Sequence, residues 1–396
     1  MKYVMLVLDG AGDRGKNTPL CMASKPNMDS IAKKGRVGLL DIGYKKGADS
    51  DVGYLNLLGC YDKNEYPGRG YLAALGVGLK PGPDDVCIRG NFATLNYKGN
   101  LMDRRAGREE TELEYFAEIL DGMEIDGVRF TVRKCSGHRV VIVMKGENLS
   151  HRIVPNDPKK TGVPLPQVKA MEGHAKFTAS VLNKFSLRVN KVLSKEPGQK
   201  KRRLPANIIL IRNVGIRREG ENFQGKFKLK GLCVAGITIA KGVSRFVNLD
   251  VVDVPGATGR EDTNLRGKMD ATLKGLKRHD FVFLHVNGTD ILSHDRRRGE
   301  KRDFIGRIDR EFGEVMEAFP PEENCYILAC DHRTVSLGRS YWPGYEHTTD
   351  PVPIAFCGPG VKPDQRVRWD EGSGRYGSFF INRDELMGFV LKQVRA

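Results

Sequence analysis

Four apolar runs along the chain end abruptly in polar residues. Residues 3–8 (YVMLVL) run into Asp9-Gly10. Residues 281–286 (FVFLHV) run into Asn287-Gly288-Thr289-Asp290. The run from Tyr326 to Cys330 stops at Asp331-His332, and LDVVDV reaches a glycine turn at 255–259. Short continuous apolar runs without alternation predict buried strands of a parallel sheet. Helical patterns separate them. MDSIAKKG predicts a short helix closed by Gly35, and VGYLNLLG the start of an apolar helix. GLCVAGITIAKGVS reads as a helix after a loop, and polar helices are predicted over 262–278 and 300–318. DPVPIAFCGPG adds a loop and a further strand. Strands alternating with helices predict an α/β domain with a mostly parallel sheet and helices on both faces.

The rhythm breaks in the middle of the chain. Residues 66–87 are rich in Gly and Pro around a short helix at 72–75, which suits a hinge. From Ile88 the pattern is strand, Gly-Asn turn, strand and a basic loop. RFTVRKCSGHRVVIVMKG follows as a second strand pair, then a helix over about 173–193 and the strand NIILI at 207–211. These features predict an inserted, smaller α+β domain at 86–220, interrupting a core made of 1–85 and 221–396. Arg89, Arg104, Arg105, Arg108, Arg133 and Arg139 gather in the insert. Guanidinium groups close to glycine loops can clamp phosphate or carboxylate bidentately, although an arginine on a strand is often only part of a solvated face.

Candidate chemistry sits at the strand ends, where open α/β sheets bind ligands. Asp9, Asp290 and Asp331 each follow a strand. His294 is four residues beyond Asp290, on the same face if that stretch is helical. His332 is adjacent to Asp331, and His347 lies beyond a loop. Parallel neighbouring strands would make these groups converge, and carboxylates with imidazoles suit divalent cations. Six such ligands, with Ser50, suffice for two ions. Each Asp could instead cap a helix and each His fill a polar pocket. Ser50, just before VGYLNLLG, reads either as an N-cap or as a nucleophile whose phosphorylated form meets the positive helix end. His285, inside a strand, reads as core or as a residue behind the ligands. His138, in a Ser-Gly-His-Arg turn, reads as a turn residue or a substrate contact. Gly10, Gly12 and Gly15 spell GxGxxG, and residues 10–16 spell GxxxxGK. Neither nucleotide motif has the helix it needs, because Asn17-Thr18-Pro19 intervenes.

Composition changes this picture little. The 396 residues carry a net charge of +16, with 40% hydrophobic and 29% charged residues. No motif for nucleic-acid recognition accompanies the charge, so nucleic acid is not expected as a primary partner, and an enzyme for small polyanions or simply a basic organism's protein would show the same balance. No apolar stretch approaches the roughly 20 residues of a membrane helix. Eight scattered cysteines without a CxxC pair predict single thiols in a reducing cytoplasm.

Taken together, LVLDGAGDR, ADSDVGYLNLLG, GRGYLAALG, RGNFATL, DRRAGR, SGHRVV, PGATG, HVNGTDILSHD, DHRTV and DPVPI resemble the archaeal-type cofactor-independent phosphoglycerate mutases of the alkaline phosphatase superfamily, over essentially the whole chain. The resemblance implies an alkaline-phosphatase-like core with an inserted substrate-binding domain. It implies interconversion of 2- and 3-phosphoglycerate through a phosphoserine at Ser50. It implies two Mn²⁺, Mg²⁺ or Zn²⁺ ions, one held by Asp9, Ser50, Asp331 and His332, the other by Asp290, His294 and His347. It implies Arg89, Arg104, Arg105, Arg139 and Arg212 as contacts for a small phosphorylated carboxylate. Asp51 and Asp103 are acid–base candidates, and association into a homo-oligomer is left open. The sequence departs from the family pattern at Asn287, where a lysine is common, at Ala73, at Thr334-Val335 and at Asn213. The segment 333–346 is also longer. Related proteins act as phosphatases or transfer phosphate to other small acceptors, so a phosphomonoesterase or phosphotransferase is the alternative.

Overall fold

The computed structural model describes residues 1–42, 49–337 and 347–394. Contacts divide the chain into two compact units, Met1–Lys63 with Gly220–Ala396, and Asn64–Glu219. The first contains an eight-stranded sheet. Its strands in chain order are β1 (Tyr3–Leu8), β2 (Arg36–Asp41), β3 (Gly231–Val234), β4 (Asp250–Val252), β5 (Phe281–Val286), β6 (Cys325–Ala329), β7 (Val352–Cys357) and β8 (Phe379–Asn382). They lie side by side in the order β4-β3-β5-β1-β6-β7-β2-β8. Only β7 runs against its neighbours. Every residue of β1, β5 and β6 is buried. Such strands need cover on both faces, which explains their unbroken apolar sequence.

The helix expected across GLCVAGITIAKGVS is a strand and a helix, β3 and Thr238–Phe246. Its first residues pair in parallel with β5. A Cβ at Gly236 would meet the Thr258 carbonyl oxygen at 2.2 Å, so the chain turns there in close contact with the next loop. Elsewhere the helices Pro26–Lys34, Leu265–Leu276 and Arg298–Ala318 fall where the apolar spacing placed them.

The second unit is built on an antiparallel sheet. Ile208–Leu210, Val86–Leu95, Arg139–Lys145, Val128–Lys134 and Glu124–Ile125 lie in that order. The helix Lys176–Leu193 buries Val181, Leu182, Phe185 and Val189 at helical spacing. Phe185 stacks on Phe130, with ring centroids 4.2 Å apart. The Gly/Pro-rich segment after Lys63 belongs to this unit, so the first division falls earlier in the chain than the expected 85/86. The helix Arg69–Gly76 packs directly on Val86–Leu95, because a Cβ at Gly70 would meet the Cys87 carbonyl oxygen at 2.3 Å. Among the described residues no helix is long and apolar enough to cross a membrane, and all eight cysteines are free.

Candidate active site

The register of the central strands brings the carboxylates together. β1 pairs in parallel with β6, Val7 opposite Ala329, and with β5, Leu8 opposite Val286. Two residues beyond Val7, Asp9 therefore leaves its strand beside Asp331. Asp290 follows in the first turn of the helix Gly288–His294. Neighbouring strands are about 4.8 Å apart, and like charges facing across that gap repel. Asp9 and Asp331 are each 1% exposed, so water does not screen them.

His332 Nε2 lies 3.4 Å from Asp9 Oδ1, 3.2 Å from Asp331 Oδ2 and 3.3 Å from Ser50 Oγ. Both of those carboxylate oxygens are buried without a hydrogen bond. Thr334 Oγ1, 3.1 Å from His332 Nδ1, occupies the other side of the ring. A second group adjoins the first. His294 Nε2 is 3.2 Å from Asp290 Oδ2 and 3.1 Å from His347 Nε2, which is 3.4 Å from Asp290 Oδ1. The His332 and His347 rings stack at 3.8 Å, so His332 borders both groups. Thr334 and His347 lie side by side in an isolated antiparallel bridge. Of the segment 333–346 expected to be longer, residues 338–346 lie outside the described residues.

Among the described residues, two sets of three ligand atoms lie close enough to hold a metal ion, Asp9, Asp331 and His332, and Asp290, His332 and His347. Ligand atoms about 2.0–2.2 Å from a tetrahedral divalent ion are roughly 3.3–3.6 Å from one another. Two oxygens buried without donors, beside a third ligand at that spacing, are what a resident cation would leave behind. The electrostatics agree. Burial, and next the Asp9 charge, push the Asp331 carboxyl well above the usual range. Burial would raise Asp290 too, but the His294 and His347 imidazoles outweigh it and hold that carboxyl well below. Burial lowers His332 to about 3, which keeps its imidazole neutral and able to ligate.

Ser50 is the first residue of the helix Ser50–Leu57, and Asp49 takes the cap position. The capping alternative for Ser50 is thereby removed. Two neighbours on its helix face explain how the helix docks. At Gly53 a Cβ would lie 3.0 Å from the Asp331 Cβ, so glycine permits the approach. Tyr54, one turn after Ser50, donates its hydroxyl to Asp9. Gly10 is similarly required. Its φ is +59°, and a Cβ there would meet Thr334 Oγ1 at 2.5 Å and Asp290 Oδ1 at 2.6 Å.

A site of paired carboxylate–imidazole clusters beneath a helix-borne serine agrees with what the sequence matches. The metalloenzyme superfamily matches residues 1–389. The 2,3-bisphosphoglycerate-independent phosphoglycerate mutase of Methanococcus aeolicus is 39% identical, covering 99% of this chain and 97% of the relative. That of Methanocaldococcus jannaschii, its mutase 1, is 37% identical over 98% and 96%. The chain belongs to the 2,3-bisphosphoglycerate-independent phosphoglycerate mutase family. Two solved structures are similar throughout. One, a cofactor-independent phosphoglycerate mutase from Thermoplasma acidophilum, is 31% identical with a TM-score of 0.67, covering 100% of both chains. The other, a protein from Pyrococcus horikoshii, is 29% identical with a TM-score of 0.82, covering 100% of this chain and 97% of that one.

In this phosphoglycerate mutase family member the second unit holds a basic cluster of its own. Arg104 grips Asp157 with two parallel bonds of 2.8 and 2.7 Å, and Arg212 Nε is 2.9 Å from the same carboxylate. Burial lowers Arg105, Arg139 and Arg212, and the charges of neighbouring arginines press them further down. His138, buried and then opposed by Arg139, Arg105 and Arg89, is lowered to about 2 and stays neutral. The five expected arginines thus share one electrostatic neighbourhood, in which Asp157 already engages Arg104 and Arg212. Asp103 accepts from the Arg105 and Gly107 amides, which gives it a turn-forming role. Asn287 donates to the Gly259 carbonyl at 2.8 Å. Asp157 and Tyr54 were not among the sequence candidates. Tyr54 was legible only as the residue one helical turn after Ser50. Asp157, in a polar Asn-Asp-Pro loop, carried no signal.

Proposed function

We propose that this chain interconverts 2- and 3-phosphoglycerate through a phosphoserine at Ser50, with two divalent cations, in the cytoplasm. The carrying observation is Ser50 Oγ at a helix N-terminus, 3.3 Å from an imidazole nitrogen that also faces two donor-free carboxylate oxygens. Asp9, Ser50, Asp331 and His332 would hold one cation, and Asp290, His294 and His347 the other. The first set is rich in oxygen and the second in nitrogen, so Mn²⁺, Mg²⁺ and Zn²⁺ need not favour them equally. When bound, the ions lower the serine hydroxyl's pKa and offset phosphoryl charge.

Ser50 Oγ then attacks phosphorus in line, forming one P–O bond as the bond to glycerate breaks, and the proton Ser50 gives up goes to the departing glycerate oxygen. Backbone N–H groups at the start of the Ser50 helix face the negative oxygens. Arg89, Arg104, Arg105, Arg139 and Arg212 are assigned to the substrate's carboxylate and phosphate. The retained glycerate presents its other hydroxyl to phosphoserine, the new C–O–P linkage forms, and Ser50 regains its proton. Water must be excluded meanwhile, or phosphate is lost to hydrolysis. One observation favours that alternative, a phosphomonoesterase or phosphotransferase. Asn287, where a lysine is common in the family, is neutral and is engaged with Gly259.

A coupled assay of 2-phosphoglycerate formation with Mn²⁺, run beside a phosphate-release assay, separates the two. Isomer without stoichiometric phosphate supports the mutase, and phosphate without isomer supports the hydrolase. Ser50→Ala should lower either activity at least 1,000-fold, roughly the loss on removing a nucleophile. Full activity in that variant refutes the phosphoserine route.

A further inference from the structure

The two oxygens of Asp9 have different surroundings. Oδ1 faces His332 and receives no hydrogen bond. Oδ2 accepts from the Tyr54 hydroxyl and lies 3.1 Å from His285 Nε2, which is itself 2.9 Å from Tyr54 Oη. All three side chains are at most 1% exposed, so no water substitutes for a lost partner. A proton count fixes the roles. The phenol donates to the carboxylate, so His285 must carry its proton on Nε2 and donate to Asp9 Oδ2 or to the phenol oxygen. His285 Nδ1, which has no hydrogen-bond partner, is then a bare lone pair. Placing the proton on Nδ1 would bury an unpaired N–H, the costlier choice. The Tyr54 donor, with His285 Nε2 beside both of its atoms, therefore engages Oδ2 and leaves Oδ1 alone to face the cluster.

Resting on the metal-site reading above, we infer that Tyr54 and His285 are positioning residues that lock the Asp9 carboxylate so that one oxygen only is presented to the cation shared with Ser50, Asp331 and His332. Tyr54 adds a second consequence. It shares a helix face with Ser50, so one bond sets both the ligand's rotation and the helix's register over the site. Neither residue is placed against the reacting atoms. Lys268, fully buried, donates at 2.8 Å to the His285 carbonyl and holds that strand end in place.

The test is Mn²⁺ titration of the metal-free full chain by calorimetry, with stoichiometry counted by electron paramagnetic resonance. Wild type, Tyr54→Phe, His285→Gln, His285→Leu and Asp9→Ala are compared. Tyr54→Phe keeps the ring packed against Phe283 and His285. It should weaken one of the two ions by about 10–100-fold, the range for outer partners of metal ligands, and leave the other within a few-fold. His285→Gln can still donate to Oδ2 and should retain tighter binding than His285→Leu. Unchanged affinity for both ions in Tyr54→Phe and His285→Leu, with one ion lost in Asp9→Ala, overturns the positioning role alone. Equal weakening of both ions with a lowered melting temperature also overturns it, since that marks a purely structural role. Two ions bound normally by Asp9→Ala would instead bring down the metal-site reading itself.

Discussion

Gly53 is small for a reason that helix propensity opposes. Alanine in its place would stabilise the isolated helix by about 0.8–1 kcal/mol. Here the added methyl would stand 3.0 Å from the Asp331 Cβ and 3.3 Å from its carbonyl oxygen. The helix would have to give by a few tenths of an ångström, and Ser50 would move with it. Gly53→Ala should therefore leave the melting temperature within a few degrees of wild type while lowering kcat by about 10–100-fold, the scale of a misplaced reacting group. A thermal melt beside steady-state kinetics checks this. Unchanged kcat would show that the helix shifts along a direction that spares Ser50.

At the scale of elements, the helix Arg298–Ala318 holds the loop after β1 from beneath. Its Lys301, fully buried, donates to the Gly10 carbonyl at 2.9 Å and reaches the Thr334 carbonyl at 3.5 Å. Both loops carry candidate ligands at their bases. Lys301→Met fills the same space and leaves the Gly10 carbonyl without that donor, a cost of about 1–3 kcal/mol. The variant should melt several degrees lower and bind Mn²⁺ more weakly. Differential scanning fluorimetry with and without Mn²⁺ measures both, and a wild-type melt would make Lys301 a bystander. The loops themselves were legible in the sequence, because a continuous apolar run that stops at Asp marks a buried strand end. Parallel register did the rest, carrying Asp9 to Asp331. What the sequence hid follows from ambiguity of residue type. Gly231–Val234 and the helix after it share one apolar texture, and only pairing with β5 separates them. Ser50 looks the same as a cap or a nucleophile until Asp49 is seen in the cap position. Tyr54 and His285 read as core because they are core, with polar tips that matter only once Asp9 lies beside them.

For the whole molecule, charge is unevenly distributed. The chain carries +16 overall, yet three carboxylates are buried together at the ends of β1, β5 and β6. Without a cation this cluster opposes folding of the first unit, and the signs can be worked out. Asp331 is raised in the folded chain, so the stability it contributes is present below the unfolded carboxyl value and is lost as pH rises through the folded one. His332 is lowered to about 3, so its contribution is present above about 6.5, the unfolded value, and is lost as pH falls through the folded one. A metal ion competes with the Asp331 proton, so metal binding strengthens as pH rises, whereas the folded His332 imidazole is already neutral above about pH 3. The second unit has its own apolar core, from Val86 to Ile211, and none of these ligands. Hydrogen exchange of the full chain with Mn²⁺ or with chelator should therefore differ at the segments around Asp9, Ser50, Asp290 and Asp331, and not across 86–215. The difference should grow from about pH 5 to about pH 8, after correction for the intrinsic exchange rate. A difference of the same size at both pH values, or one spread evenly over both units, would mean that the buried carboxylates are not where the metal acts on stability.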